Sequence, residues 1–197
     1  MTVSSVATGY DGISLLAGNA AYDPAGTFLI QRVAGTGSSG TITFSSIPQT
    51  YKHLQIRVFA ISTNTTPQSG QNVTIRFNGD SGSNYARHSL EGDGNGTFLA
   101  GTASTTGILM RALMVTSGTN IGGAGICDIH DYTSTSKNTT VRAFAGGNRN
   151  TTDNVNAFVG LFSGLYISTD AITSISLVSG SGNFTTSSQF ALYGMVG

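Results

Sequence analysis

The chain has 197 residues, enough for one all-β domain and short for two. Gly, Thr, Ser and Asn supply 91 of them, and each costs about 0.5–1 kcal/mol in a helix interior relative to Ala, which excludes long helices. Seven Arg and two Lys balance eight Asp and one Glu, so the formal net charge is zero and no basic stripe for nucleic acid or an anionic membrane is expected.

Residues 1–27 carry Ile13, Leu15, Leu16 and Tyr22 scattered among Gly and Ala without a clean period. They read as an N-terminal arm, with those four side chains as its candidate anchor. From residue 28 an apolar alternation of period two begins and repeats. FLIQRV (28–33) is followed by TITFS (41–45), with Ile42 and Phe44 on one face. In KHLQIRVFAI (52–61), Leu54, Ile56, Val58 and Ala60 point one way, and His53, Gln55 and Arg57 the other. NVTIRFN (72–78) sends Val73, Ile75 and Phe77 inward. NYARHSLEG (84–92) comes next. GILMRALMV (107–115) is the one run where good helix formers allow a short helix to compete. GICDIHDY (125–132), TTVRAFAG (139–146), AFVGLFSGLYIS (157–168), ITSISLV (172–178) and SQFALYGMV (188–196) complete about eleven strands.

AFVGLFSGLYIS is apolar on both sides, Val159, Leu161, Leu165 and Ile167 opposing Phe158, Phe162 and Tyr166. It is expected at the centre of a sheet, its second face covered by the arm, a loop or a neighbouring subunit. Asn78-Gly79, Asp93-Gly94 and Asn95-Gly96 supply the positive φ of tight turns. Short, evenly spaced strands with such turns predict an antiparallel two-sheet β-sandwich, jelly-roll-like, as a single domain over 28–197.

The chemistry-bearing residues are few. Asp128-Ile129-His130-Asp131 places a carboxylate and an imidazole on one strand face, the raw material for general-base work or two legs of a metal site. Any strand with polar alternation yields such a pair, so a structural polar face is the simpler reading. His53 and His88 sit beside Lys52 and Arg87, which disfavours protonation. Asp80, Glu91 and Asp93 fall in Gly/Asn-rich stretches without the spacing of a calcium loop. A single Glu makes a paired-carboxylate glycosidase site improbable. The lone Cys127 excludes an internal disulfide and a Cys-based zinc site, and packs as a small core residue. Tyr85 and Tyr132 are the best candidates for rim aromatics of a sugar site, with core packing as their simpler role. No run of 18 apolar residues suggests a membrane-spanning helix, and no basic-then-apolar leader is visible at the N-terminus. The reading is therefore non-enzymatic: no catalytic, cofactor-binding or metal-ligating residue, no nucleic acid and no membrane.

Charged residues make up only 9 % of the chain, against about 25 % in ordinary soluble domains. A neutral, hydroxyl-rich surface promotes association and suits a protein that lives in an assembly. Four stretches bear on which assembly: ITFSSIPQTYKHLQIRVFA (42–60), TIRFNGDSGSNYARHSLEGDG (74–94), ICDIHDYTSTSKNTTVRAFAG (126–146) and AITSISLVSGSGNFTTSSQFALYGMVG (171–197). Together they resemble small virion structural proteins of tailed bacteriophages, particularly aquatic and cyanobacterial ones. The resemblance spans about residues 28–197 and leaves the arm out. It implies a capsid decoration (cement) protein or a tail-fibre component, with no catalytic motif to carry over. No heptads or β-helix repeat of a fibre stalk are present, so the expectation is a decoration protein on the capsid surface. Its expected partners are the major capsid protein and copies of itself, as a homotrimer. The alternative is a tail-associated subunit with a receptor- or carbohydrate-binding role.

Overall fold

The structure, a computed structural model, describes residues 6–8, 14–16, 26–65, 68–115, 121–148 and 157–197. Among them there are fourteen strands and no helix. Two short strands, β1 (Val6–Thr8) and β2 (Ser14–Leu16), pair with each other alone, Val6 opposite Leu16 and Ala7 opposite Leu15. Ile13 and Tyr22 of the expected anchor lie outside the described residues, as do the side chains of Leu15 and Leu16.

The other twelve strands form one mixed sheet that does not close. They are β3 (Thr27–Ala34), β4 (Thr41–Phe44), β5 (His53–Ile61), β6 (Gln68–Phe77), β7 (Tyr85–Gly92), β8 (Thr97–Thr105), β9 (Ile108–Val115), β10 (Gly123–His130), β11 (Thr139–Gly147), β12 (Phe158–Tyr166), β13 (Ile175–Ser179) and β14 (Gln189–Met195). A long limb runs β3-β14-β5-β10-β11-β12-β7-β8, and a short limb runs β4-β13-β6-β9. The limbs meet at the end of β5, where Ala60 and Ile61 pair in parallel with Leu113 and Met114 of β9. Every other described strand pairing is antiparallel.

Two glycines show how closely β9 lies on the long limb. A Cβ added at Gly164 of β12 would stand 2.6 Å from the Ile108 side chain, and one at Gly125 of β10 would stand 2.7 Å from Met110 Sδ. Between these strands lies the core. Leu54 and Ile56 of β5, Ile75 and Phe77 of β6, Met110 of β9, Cys127 and Ile129 of β10, and Val141 of β11 are all buried. β-Branched and aromatic residues at every second position favour this pleated, half-buried geometry over a helix. Burial also pushes the Cys127 thiol pKa up, so the thiol behaves as a small apolar group.

Three sequence expectations need adjustment, and two open choices resolve to the simpler reading. The 107–115 run is strand, because β6 pairs it along one edge and its alternate residues Ile108, Met110 and Ala112 are buried; tertiary pairing outweighs helix propensity here. β8 is a strand that the period-two signal omitted. β6 starts earlier than the NVTIRFN run, at Gln68. Glu91 lies on β7 rather than in a loop. Tyr85 and Tyr132 are fully buried and not rim aromatics. The Tyr85 ring stacks on Tyr166 at 4.8 Å, and its hydroxyl accepts from Phe77 N and donates to Asp80 O, each at 3.0 Å. Tyr132 donates to the Pro48 carbonyl. Asn78-Gly79 forms the expected turn, both φ angles positive (52° and 72°), closed by Asp80 N donating to Phe77 O at 2.8 Å.

Candidate functional site

Side chains on successive strand residues alternate between faces, so one register row across a sheet presents a line of neighbours on one surface. On the outer surface of the long limb one such row is apolar for five strands. It passes from Leu99 (β8) to Leu90 (β7), Leu161 (β12), Phe144 (β11) and Ile126 (β10). It then reaches Arg57 on β5, whose guanidinium lies 5.2 Å from the Tyr193 ring centroid. Leu99 is 81 % exposed, Leu161 53 % and Phe144 50 %, and the flanking Val159 and Phe59 are also exposed. Two shallow depressions of about 590 and 300 Å³ flank Leu161 on this surface. β12 is central, paired to β11 and β7 as its two-faced apolarity predicts. The expected cover over its outer face is not supplied by any described residue.

The next row on the same surface is polar: His88, Ser163, Arg142, Asp128 and Gln55 stand in register. Gln55 Nε2 donates to Asp128 Oδ1 at 2.9 Å, and Arg142 Nη2 lies 3.4 Å from Oδ2. The Asp128–His130 pair is thus divided between two neighbourhoods. His130 packs edge-on against the His53 ring at 5.2 Å. Asp131, at φ 49°, turns the chain and pairs with Lys137 and with Lys52, whose Nζ lies 2.9 Å away. The hydrogen bonds from Lys137 and Lys52 hold the Asp131 carboxyl down at about 2. His53 Nδ1 accepts from the Asp131 backbone N–H at 3.0 Å, and burial lowers the His53 pKa. These contacts tie β5 to the turn after β10. They account for the polar cluster by structure, since each carboxylate already holds a cation.

The inner surface at the β7–β8 end departs from the apolar rule. Arg87, Ser89 and Glu91 share the face of buried Tyr85, and with Thr102 of β8 they border a cleft of about 260 Å³. Opposite stand Leu109 and Arg111 of β9 and Gln71 and Asn72 of β6. The pairing of β6 with β9 is irregular between Gln71 and Val73, which turns two consecutive polar residues toward the cleft. Arg111 Nη1 pairs with Glu91 Oε2 at 2.9 Å, and its guanidinium lies 5.2 Å from the Phe158 ring centroid. Arg87 has no hydrogen bond or ion pair to any described residue, and partial burial lowers its pKa while the more distant Glu91 opposes that.

The remaining candidate carboxylates serve their own turns. Asp80 accepts from Gly82 N at 2.7 Å and from Asn84 Nδ2 at 2.8 Å, the latter bond contributing most to its lowered pKa. Asp93 Oδ1 accepts from Asn95 N and Gly96 N in the β7–β8 hairpin. No three His, Cys, Asp or Glu side chains gather in metal-binding range among the described residues. Of the apolar row, sequence reasoning had marked Leu161 alone; the two-faced composition of β12 is the signal that leads to the rest. Compared with protein-family models, curated proteins and solved structures, the chain finds no match in any of the three.

Proposed function

We propose that this chain is a non-enzymatic virion building block, a capsid decoration protein whose outer apolar row is its contact surface. The observation that carries this reading is the exposed line Leu99–Leu90–Leu161–Phe144, continued by half-buried Ile126 and edged by a polar row. An apolar centre with a polar margin is the anatomy of a protein interface. Contiguous apolar patches of this kind on a folded chain mark interaction sites. The row forms the centre of a five-strand face that presents roughly 600 Å² in projection, polar margin included, against the ~800 Å² per partner of a stable interface. The zero net charge removes the repulsion that keeps ordinary proteins apart. In the same reading the short limb folded over the long one makes a two-sheet sandwich of jelly-roll type, and the copies associate through the apolar row as a homotrimer, the form that binds the major capsid protein. Binding only to the assembled shell stabilises that shell by mass action, and many copies on a closed lattice reinforce one another through effective concentration.

Immunogold labelling of phage particles tests the location. Label spread over the shell is the expected result; label confined to the tail assigns the chain to a tail-associated subunit instead. Co-sedimentation of purified protein with shells tests the surface. Wild type is expected in the pellet, and a variant carrying Leu90→Ser, Phe144→Ser and Leu161→Ser in the supernatant.

A further inference from the structure

We infer that the inner cleft between β7–β8 and β6–β9 is a binding site for a small hydroxylated carboxylate of the sugar-acid class, with Arg87 as the carboxylate anchor. The inference is independent of the contact surface, which lies on the opposite face of the same strands.

A guanidinium close to a carboxylate normally takes it as a hydrogen-bonded partner, because charge-assisted pairs are the strong ones. Arg111 obeys this rule through Glu91 at 2.9 Å. Arg87, on the same wall, has no such partner among the described residues. Among the described lining residues, Glu91 is already neutralised by Arg111, which leaves Arg87 as one surplus positive charge. Arginine presents a planar fork that matches a carboxylate in two parallel hydrogen bonds.

The rest of the wall decides what accompanies the carboxylate. Ser89, Thr102 and Asn72 offer uncharged hydroxyl and amide groups, and Leu109 and Phe162 supply the apolar part of the lining. A cation, several neutral hydrogen-bonding groups and an apolar surface suit a ring that bears hydroxyls on its rim and one carboxylate. The volume of about 260 Å³ lies just under the ~300 Å³ lower bound of drug-sized pockets, which leaves room for one ring. Among the described residues the site offers no second free cation for a doubly charged phosphate, since Arg111 is held by Glu91.

The test is a titration of the full chain with sodium glucuronate, glucose and acetate, followed by backbone amide NMR. Glucuronate is expected to shift the amides of Arg87, Ser89 and Thr102 saturably at millimolar concentration. Glucose, which lacks the charge, and Arg87→Gln are each expected to weaken binding about tenfold to a hundredfold, the loss of a charged hydrogen-bond pair. Arg87→Gln should leave the thermal unfolding curve in place; should it unfold the chain, Thr102→Ala on the edge strand serves instead, with a several-fold loss expected. No saturable shift with glucuronate, equal binding by Arg87→Gln, or shifts centred outside the cleft would overturn the site. Acetate binding as tightly as glucuronate overturns the sugar-acid assignment. A uronate-ended disaccharide matching the monosaccharide points to glycan ends as the source, and binding of the monosaccharide alone to free sugar acids; both support the site.

Discussion

β5 and β7 are strands of one sheet, yet their inward faces differ in chemistry. On β5 the apolar set Leu54, Ile56, Val58 and Ala60 is turned inward and buried. On β7 the inward set is Arg87, Ser89 and Glu91, and Leu90 is turned out. Alternation has a period but no sign, and moving the pattern by one residue exchanges the faces. The β5 end of the molecule spends its apolar residues on its own core. The β7–β8 end keeps them on the surface and lines its inner face with charged and polar groups, which is costly for the isolated chain.

The comparison predicts very different penalties for equal truncations. Phe77→Ala, in the core beneath Tyr85 and Tyr166, should cost about 3–5 kcal/mol in denaturant unfolding. Leu99→Ala and Leu161→Ala should each stay within about 0.5 kcal/mol, and comparable losses at both ends would erase the distinction. A smaller effect belongs to Tyr85→Phe. It removes the hydroxyl that serves Phe77 N and Asp80 O, and should cost about 1–3 kcal/mol because a buried N–H is left unpaired. Hydroxyl ionisation is not involved at neutral pH, since burial raises the Tyr85 pKa to about 12.

The acid limb of stability gives a third, milder test at the β5 end. Asp131 has a folded pKa of about 2, below its ordinary 3.8, so its contribution is present above about pH 4. It is lost as pH falls through the folded value. His53 is lowered from 6.5, so the unfolded chain takes up its proton first and stability also declines as pH drops below that ordinary value. Asp131→Asn should flatten the first slope and His53→Gln the second, read from unfolding midpoints against pH. An unchanged slope in either variant would remove that residue from the acid response.

Much of the strand order along the chain was legible because Leu54–Ala60 and Val73–Phe77 alternate cleanly and Phe158–Tyr166 is apolar throughout. β8 was not, since its two large apolar residues, Phe98 and Leu99, are adjacent and the rest of the strand is small or polar. It is held by pairing with β7, a property of the partner and not of its own pattern. The two-residue parallel joint between β5 and β9 leaves no mark on local periodicity. The contact surface was half legible: β12 shows two apolar faces in its own composition, but Leu99, Leu90 and Phe144 join Leu161 only through register. The cleft was illegible, because it needs Glu91 and Arg111, twenty residues apart, to meet across two strands.

Sedimentation velocity of the full chain beside the variant carrying Leu90→Ser, Phe144→Ser and Leu161→Ser puts the outer surface to the proof. Wild type should sediment as a discrete oligomer and the variant as a folded monomer with an unchanged circular-dichroism spectrum. A wild-type monomer at micromolar concentration, or a variant that still assembles, would contradict the claim that these exposed side chains are where copies of the molecule meet.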